Sequence, residues 1–241
     1  MIVLLTDFGQ SEYVGVMKAV IYGIAPDAKI VDLCHTIAPQ SIIEASWILL
    51  NNYRYFPTTS IFCCVVDPGV GADRKAIAAK AGPYYFVGPD NGLLWETVRA
   101  EPITEIREIP IPQEASRTFH GRDVFAKAAA NIELGGFDNL GTRIDRIAEM
   151  ELYRQGREGI VVRIDGFANV VTNIDKLPKA QYSVNIGGKK IPMRFCPSYS
   201  SAQADELFLI EGSSNTLEIS IKDGRANDVL HLVAGAKIEI S

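Results

Sequence analysis

Three aspartates each close an apolar run in the N-terminal half of the chain. Asp7 follows IVLLT, Asp67 follows IFCCVV, and Asp90, with Asn91 behind it, ends YYFVGP. An unbroken run of β-branched and small apolar residues reads as a strand covered on both faces. The carboxyl end of such a strand is where open α/β sheets bind their ligands. Around these positions stand Glu12, then Arg74 at the end of the glycine-rich DPGVGADR, then His120 and Arg122 in FHGRD. Further on, IDGFANVVTN supplies Asp165, Asn169 and Asn173. Carboxylates serve as acids, bases or metal ligands, histidine changes charge near neutrality, and arginine holds a permanent positive charge. Each residue also has an ordinary reading, since Asp, Asn, Pro and Gly form turns and cap helices. Recurrence at three strand ends weakens that reading; no single position does.

Several chemistries are excluded by pattern. DPGVG is neither a phosphate-binding P-loop nor a dinucleotide fingerprint, and no G-x-S-x-G elbow is present. The three histidines, His35, His120 and His231, lack zinc-site spacing, so a metal centre has to draw on carboxylates such as Asp7, Asp67 and Asp90. Cys34, Cys63, Cys64 and Cys196 contain no C-x-x-C pair and read as reduced core thiols.

The elements that must position these groups fall into two blocks. Strand and helix alternate through the first 150 residues: IVLLT, the helix from SEYVGVMKAV to Pro26, KIVDLC, the helix SIIEASWILLNN up to Pro57, then the strand before Asp67. KAIAAKAG, YYFVGPD, GLLWETVRA, ITEIREI and the helix GRDVFAKAAANIELGG follow. That alternation predicts a layered α/β domain with a mainly parallel sheet over residues 1–150. After the polar stretch RIDRIAEMELYRQGREG, strand follows strand: IVVRIDGFANVVTNI, a hairpin turned at Gly187-Gly188, ELFLIEGSS, TLEISIKDG and VLHLVAGAKIEI. Residues 151–241 read as a small all-β domain, barrel or sandwich.

With 241 residues, 47% of them hydrophobic, the chain can build proper cores. A net charge of −5 without a Lys/Arg cluster argues against nucleic acid and for a small-molecule partner. No apolar run is long enough to span a bilayer, and no basic-then-apolar leader opens the sequence. The expectation is a soluble, cytoplasmic protein with no membrane partner.

Taken in order, LTDFG…YVGVMK, VDLCHTIAP, VVDPGVG-x-x-R, GPDNGLL, TFHGRD and IDGFANVVTNI resemble the S-adenosyl-L-methionine (SAM) hydroxide adenosyltransferases. These SAM hydrolases form adenosine and are relatives of the bacterial fluorinase and chlorinase. The resemblance runs from Ile2 to the final strand. It implies an N-terminal α/β domain joined to a C-terminal β-barrel, and a homotrimer binding SAM where one subunit's N-terminal domain meets its neighbour's C-terminal domain. By the same matching, Asp67, Arg74 and His120 activate water, and Asp7 holds the ribose hydroxyls. Asp165, Asn169 and Ser213 contact the methionine amino and carboxylate groups, and Phe167 and Tyr199 lie near the adenine. No metal or cofactor is implied; SAM is the substrate. The fluorinase carries tyrosine at the position of Asp67 and a halide-binding serine at that of Gly121, and both departures favour water over halide. An aspartate is common where this chain has Glu12. Two other readings compete: a non-catalytic SAM or nucleoside sensor, and a carboxylate-metal hydrolase.

Overall fold

Successive side chains of the apolar runs enter two different cores. In β1 (Ile2–Thr6) Ile2 and Leu4 join one cluster while Val3 and Leu5 join another. The helices α1 (Glu12–Ile24) and α2 (Ile42–Asn52), which flank β2 (Ile30–Cys34), divide the same way. Met17 and Ile21 pack in the first cluster, Ala45, Ile48 and Leu49 in the second. In β3 (Ile61–Val65) Cys63 and Cys64 therefore face opposite sides of the sheet and cannot bridge each other. All four cysteines are free, and burial pushes the Cys63 thiol up to about 12. The unbroken hydrophobicity of these strands is the mark of a sheet sandwiched between helical layers.

The computed structural model describes residues 1–241, in two compact units, Met1–Glu151 and Leu152–Ser241. The first unit continues through β4 (Ala76–Ala81), β5 (Tyr84–Pro89), α3 (Trp95–Arg99), β6 (Ile103–Ile109), α4 (Ala126–Glu133) and β7 (Thr142–Ile144). Its sheet has the order β2-β1-β3-β5-β4-β6-β7. The pairs β1·β2, β1·β3 and β3·β5 are parallel, whereas β4 opposes both β5 and β6. Since β6 opposes β4, it again runs with the majority, and only β4 and β7 are reversed. The mainly parallel sheet expected from the sequence thus carries an antiparallel insertion, made where Gly82 and Pro83 turn β4 straight back into β5. The strand β7 overlaps the start of the stretch that reads as polar, RIDRIAEMELYRQGREG.

From β1 the chain winds to β2 on one side and then to β3 on the other, with α1 and α2 on opposite faces. The carboxyl ends of β1 and β3, paired through Thr6 and Val65, flank the point where the winding reverses. Ligand crevices of doubly wound sheets open at that point.

The second unit comprises β8 (Glu158–Ile164), β9 (Val170–Asp175), β10 (Gln181–Ile186), β11 (Lys189–Phe195), β12 (Leu207–Glu211), β13 (Thr216–Ile221), α5 (Ala226–Leu230) and β14 (Lys237–Ile240). It is a closed barrel in the order β10-β11-β12-β13-β9-β8-β14, which resolves barrel against sandwich. The β10–β11 hairpin turns at Gly187 and Gly188, both at positive φ, as a two-residue turn with right-handed twist requires. VLHLVAGAKIEI is only half strand. Its first part ends α5, His231 adopts φ 51°, and the Asn227 side chain holds Leu232 from both sides, accepting from its N–H at 2.8 Å and donating to its carbonyl at 3.1 Å. That local pairing satisfies backbone groups which a strand would need for its ladder.

Candidate functional site

Asp67 lies two residues past β3, beside the winding reversal. Beyond it, Val70 and Ala72 donate their N–H groups back to the Asp67 and Gly69 carbonyls, at 3.3 and 3.1 Å, folding the glycine-rich segment into a tight double turn. Gly71 has φ +78°, and a Cβ there would lie 2.3 Å from the Arg117 carbonyl oxygen, so only glycine fits. The turn returns Arg74 to the start of its own loop. Its Nε donates to both Asp67 carboxylate oxygens at 3.0 Å, and its Nη2 also donates to Oδ2. The two side chains are only 9% and 5% exposed, so this is a buried, bidentate ion pair.

The same Nη2 reaches Nδ1 of His120 at 2.7 Å. Arginine carries donors only, so Nδ1 accepts and a neutral His120 keeps its proton on Nε2. His120 is buried and immediately precedes a π-helical turn, Gly121–Phe125, that leads into α4. Such turns are rare and often mark functional positions. Burial, and then the Arg74 charge, hold the imidazole below its ordinary value of 6.5; Asp67 and Asp123 oppose this in part. Asp123 itself is brought down to about 2 by Arg122 and by the N–H of Ser116. Arg122 is therefore spent on anchoring the turn.

A depressed histidine makes the fold sensitive to acid. Between its folded value and 6.5 the unfolded chain binds the proton and the folded chain does not. Stability therefore rises with pH through that window and is lost as pH falls through it. The thermal midpoint should drop as pH falls below 6.5, and His120→Gln should show a shallower drop over the same range. Equal slopes in the two proteins would show that another group titrates.

Asp67 and His120 line a cleft of about 320 Å³ together with Asp7, which follows β1; Arg74 stands behind them, its guanidinium 5.3 Å from the centre of the Phe125 ring. Asp7 accepts the Gln40 N–H at 2.8 Å, and Gln40 is held at φ 64°. Phe8, Tyr13 and Phe119 wall the cleft with mutually edge-to-face rings 4.9 to 5.9 Å apart. The sequence reading missed this aromatic trio because Phe119 lies more than a hundred residues from Phe8 and Tyr13. Gly121 also borders the cleft, and a Cβ there would meet the Phe119 ring at 3.1 Å and Met17 Sδ at 3.2 Å. A larger residue forces one of them aside.

Asp90, by contrast, accepts the Ala148 N–H, and Asn91 donates to the Val66 carbonyl while accepting from the Leu93 N–H. Both are structural, although Asn91 braces the strand end that delivers Asp67. No three His, Cys, Asp or Glu side chains gather as metal ligands, so Asp7, Asp67 and Asp90 do not form a carboxylate centre. Glu12 is exposed in the first turn of α1.

The remaining candidates meet in the second unit, around a cleft of about 770 Å³ lined by Asp165, Phe167, Asn169, Tyr199 and Ser213. Asp165 Oδ1 accepts the N–H groups of Phe167 and Asn169, and Oδ2 accepts from Asn169 Nδ2 at 2.9 Å; this network shapes the β8–β9 loop. Asn169 Nδ2 also donates to the Tyr199 hydroxyl at 3.3 Å. Phe167 is 77% exposed and Tyr199 45%, leaving ring surface open to a flat ligand. Asn173 is structural: its carbonyl oxygen accepts the Ile160 N–H, and its amide donates to the Tyr153 carbonyl. The cleft also contains three carboxyl groups that sequence reasoning overlooked, Glu211, Asp223 and, on β13, Glu218.

Residues 2–141 match the SAM hydroxide adenosyltransferase N-terminal domain and residues 159–239 its C-terminal domain. The chain belongs to the SAM hydroxide adenosyltransferase family. An (R)-S-adenosyl-L-methionine hydrolase from Methanocaldococcus jannaschii is 38% identical to it, over 99% of this chain and 95% of the relative. One of the same name from Thermus thermophilus is 35% identical, over 98% and 97%. A crystal structure of an uncharacterized conserved protein from Thermotoga maritima superposes with a TM-score of 0.90 at 35% identity, covering all of both chains. As a SAM hydroxide adenosyltransferase family member, the chain keeps a carboxylate at Asp67 and a glycine at Gly121, the two positions where the resemblance separates water-using from halide-using enzymes.

Proposed function

We propose that this protein hydrolyses S-adenosyl-L-methionine to adenosine and L-methionine by in-line attack of water on the ribose C5′. The observation that carries the reading is the buried Asp67–Arg74–His120 constellation at the edge of the cleft that also holds Asp7. The sulfonium leaves as a neutral thioether, so no general acid is required and the demand falls on the nucleophile. The water oxygen bonds to C5′, the C5′–S bonding pair goes to sulfur, and one water proton must be taken up. Arg74 has no lone pair, and His120 Nδ1 is occupied by Arg74. Asp67 is then the acceptor that meets the cleft, and it holds the water in line as well as taking its proton. His120, through its Nε2–H, and Arg74, from behind, stabilise the negative charge that develops on the water oxygen. Asp7 binds the ribose hydroxyls. Asp165, Asn169 and Ser213 hold the amino-acid end, and Phe167 and Tyr199 flank the adenine. These groups act on ground state and transition state alike, so they contribute to binding more than to rate.

No step in this scheme needs a metal ion. The names of the relatives specify the R configuration at sulfur, and the same epimer is the proposed substrate here. The protein is proposed to be a cytoplasmic homotrimer with its active sites at subunit interfaces, which native mass spectrometry tests directly. No helix is long and apolar enough to cross a membrane.

The deciding experiment offers each SAM epimer to the protein in ¹⁸O-labelled water containing EDTA and excess chloride. Adenosine labelled at its 5′ oxygen, with equimolar methionine and faster turnover of the R epimer, is the expected result. A chlorinated nucleoside would make the protein a halogenase. Intact SAM that nonetheless binds would make it a sensor, and activity restored only by divalent ions would revive the metal reading.

A further inference from the structure

Glu218 stands where a strand of a hydrophobic barrel has no structural need for a carboxyl group. Its neighbours Leu217 and Ile219 point into the barrel core, so the alternation of β13 turns Glu218 to the opposite face. There its partners across the ladder are Ile210 on β12 and Val171 on β9. The cleft of about 770 Å³ opens over it. Space for the carboxyl group is made by Gly212, where a Cβ would lie 1.8 Å from Glu218 Oε1.

Asp165 lines the same cleft, and its two oxygens take three N–H donors from its own loop and keep one lone-pair direction for a ligand. We propose that Glu218 and Asp165 together receive the α-ammonium of the substrate's amino-acid end, making Glu218 a specificity-determining residue that selects ligands with a positively charged amino group. This rests on the function proposed above, and adds to it a second carboxyl group and a proton.

The electrostatics agree with the geometry. Burial, and then the charge of Asp165, push the Glu218 carboxyl up to about 7, and Arg163 offsets this only in part. Tyr199, also facing the pair, is itself raised, first by burial. Among the other charged groups of the cleft, Glu211 is paired with Lys176 and Arg225 with Asp228, which leaves Asp223 at the rim. An ammonium between Asp165 and Glu218 removes their repulsion and releases the Glu218 proton. Affinity for an amino-acid-bearing ligand must then rise with pH through about 7.

S-adenosyl-L-homocysteine is the probe, because its uncharged sulfur is a poor leaving group and the molecule survives the titration. Isothermal calorimetry with the full-length protein should show its affinity rising about five- to tenfold from pH 6 to 7.5, with roughly half a proton released per ligand at pH 7. Adenosine, which lacks the ammonium, should bind with little pH dependence. Glu218→Gln should bind S-adenosyl-L-homocysteine roughly tenfold more weakly at pH 7.5 and lose the pH dependence, while its affinity for adenosine stays near that of the wild type. A flat wild-type profile overturns the proposal whether or not the variant folds. So does a variant that keeps the wild-type slope. An affinity that falls as pH rises would instead make Glu218 a neutral hydrogen-bond donor to the purine. The expected binding pattern without turnover of SAM would sink the proposed hydrolysis and leave this site standing; turnover with a flat profile would do the reverse.

Discussion

Asp67→Asn should lower kcat for SAM hydrolysis by roughly 10²- to 10⁴-fold, the usual contribution of a positioned general base, while KM changes little. The amide keeps the size of the carboxylate but loses its charge and places an NH₂ where Arg74 has only donors to offer. Water in the cleft then has no group to take its proton, since His120 Nδ1 already accepts from Arg74. Steady-state kinetics across a range of SAM concentrations separate the two parameters. A kcat within about tenfold of the wild type would assign the proton to another group, and a loss carried entirely by KM would make Asp67 a binding residue.

Arg74→Met should be costly in a different way, because it harms the fold as well as the reaction. It leaves the Asp67 side chain, 5% exposed, as an uncompensated buried charge and removes the contact with the Phe125 ring. Breaking a buried pair from one side costs about 3–5 kcal/mol. For a chain of this length that corresponds to a thermal midpoint lower by roughly 10 °C. His120 loses one of the two causes that depress it, so its titration should move up toward 6.5. The double variant Asp67→Leu/Arg74→Met should regain most of the midpoint and none of the activity, as buried pairs replaced whole by apolar groups often do. Calorimetry of the two variants and the wild type, together with an NMR titration of the His120 ring, tests this chain of dependence. An Arg74→Met protein as stable as the wild type would mean that Asp67 escapes to solvent.

The same pair shows how much of the site was legible in advance. An aspartate closing an apolar run, with an arginine after a glycine-rich segment, can be read from residues 61–74 alone. The direction of the turn that joins them cannot, because it depends on Gly71 passing within contact of the Arg117 backbone, a segment distant in sequence. Asp90 had the same local grammar as Asp67 and proved to be a brace for Ala148. Strand-end aspartates are alike in sequence and are told apart only by what the fold brings to them.

Glu218 marks the opposite limit. In TLEISIKDG it alternates with buried apolar residues, the usual signature of a solvated strand face. Only the cleft above it and the charge of Asp165 in the same cleft make it anything else. The antiparallel β4–β5 insertion and the short helix α5 were likewise hidden. The first depends on which neighbour β4 pairs with, and the second on Asn227 competing for the backbone of Leu232.

What this sequence determines by itself is the type of most elements and the division of the chain into an α/β part and an all-β part. Both follow from hydrophobic periodicity and from glycine and proline placement, which act over a few residues. Tertiary structure alone decides that the winding of the sheet reverses between β1 and β3, so that Asp7 and Asp67 meet at one crevice. It also decides that the barrel closes through β10 and β14, and that His120 accepts from Arg74 and so keeps its proton on Nε2. These outcomes rest on contacts between segments far apart in sequence, where burial and the pairing of charges, not local preference, fix the arrangement.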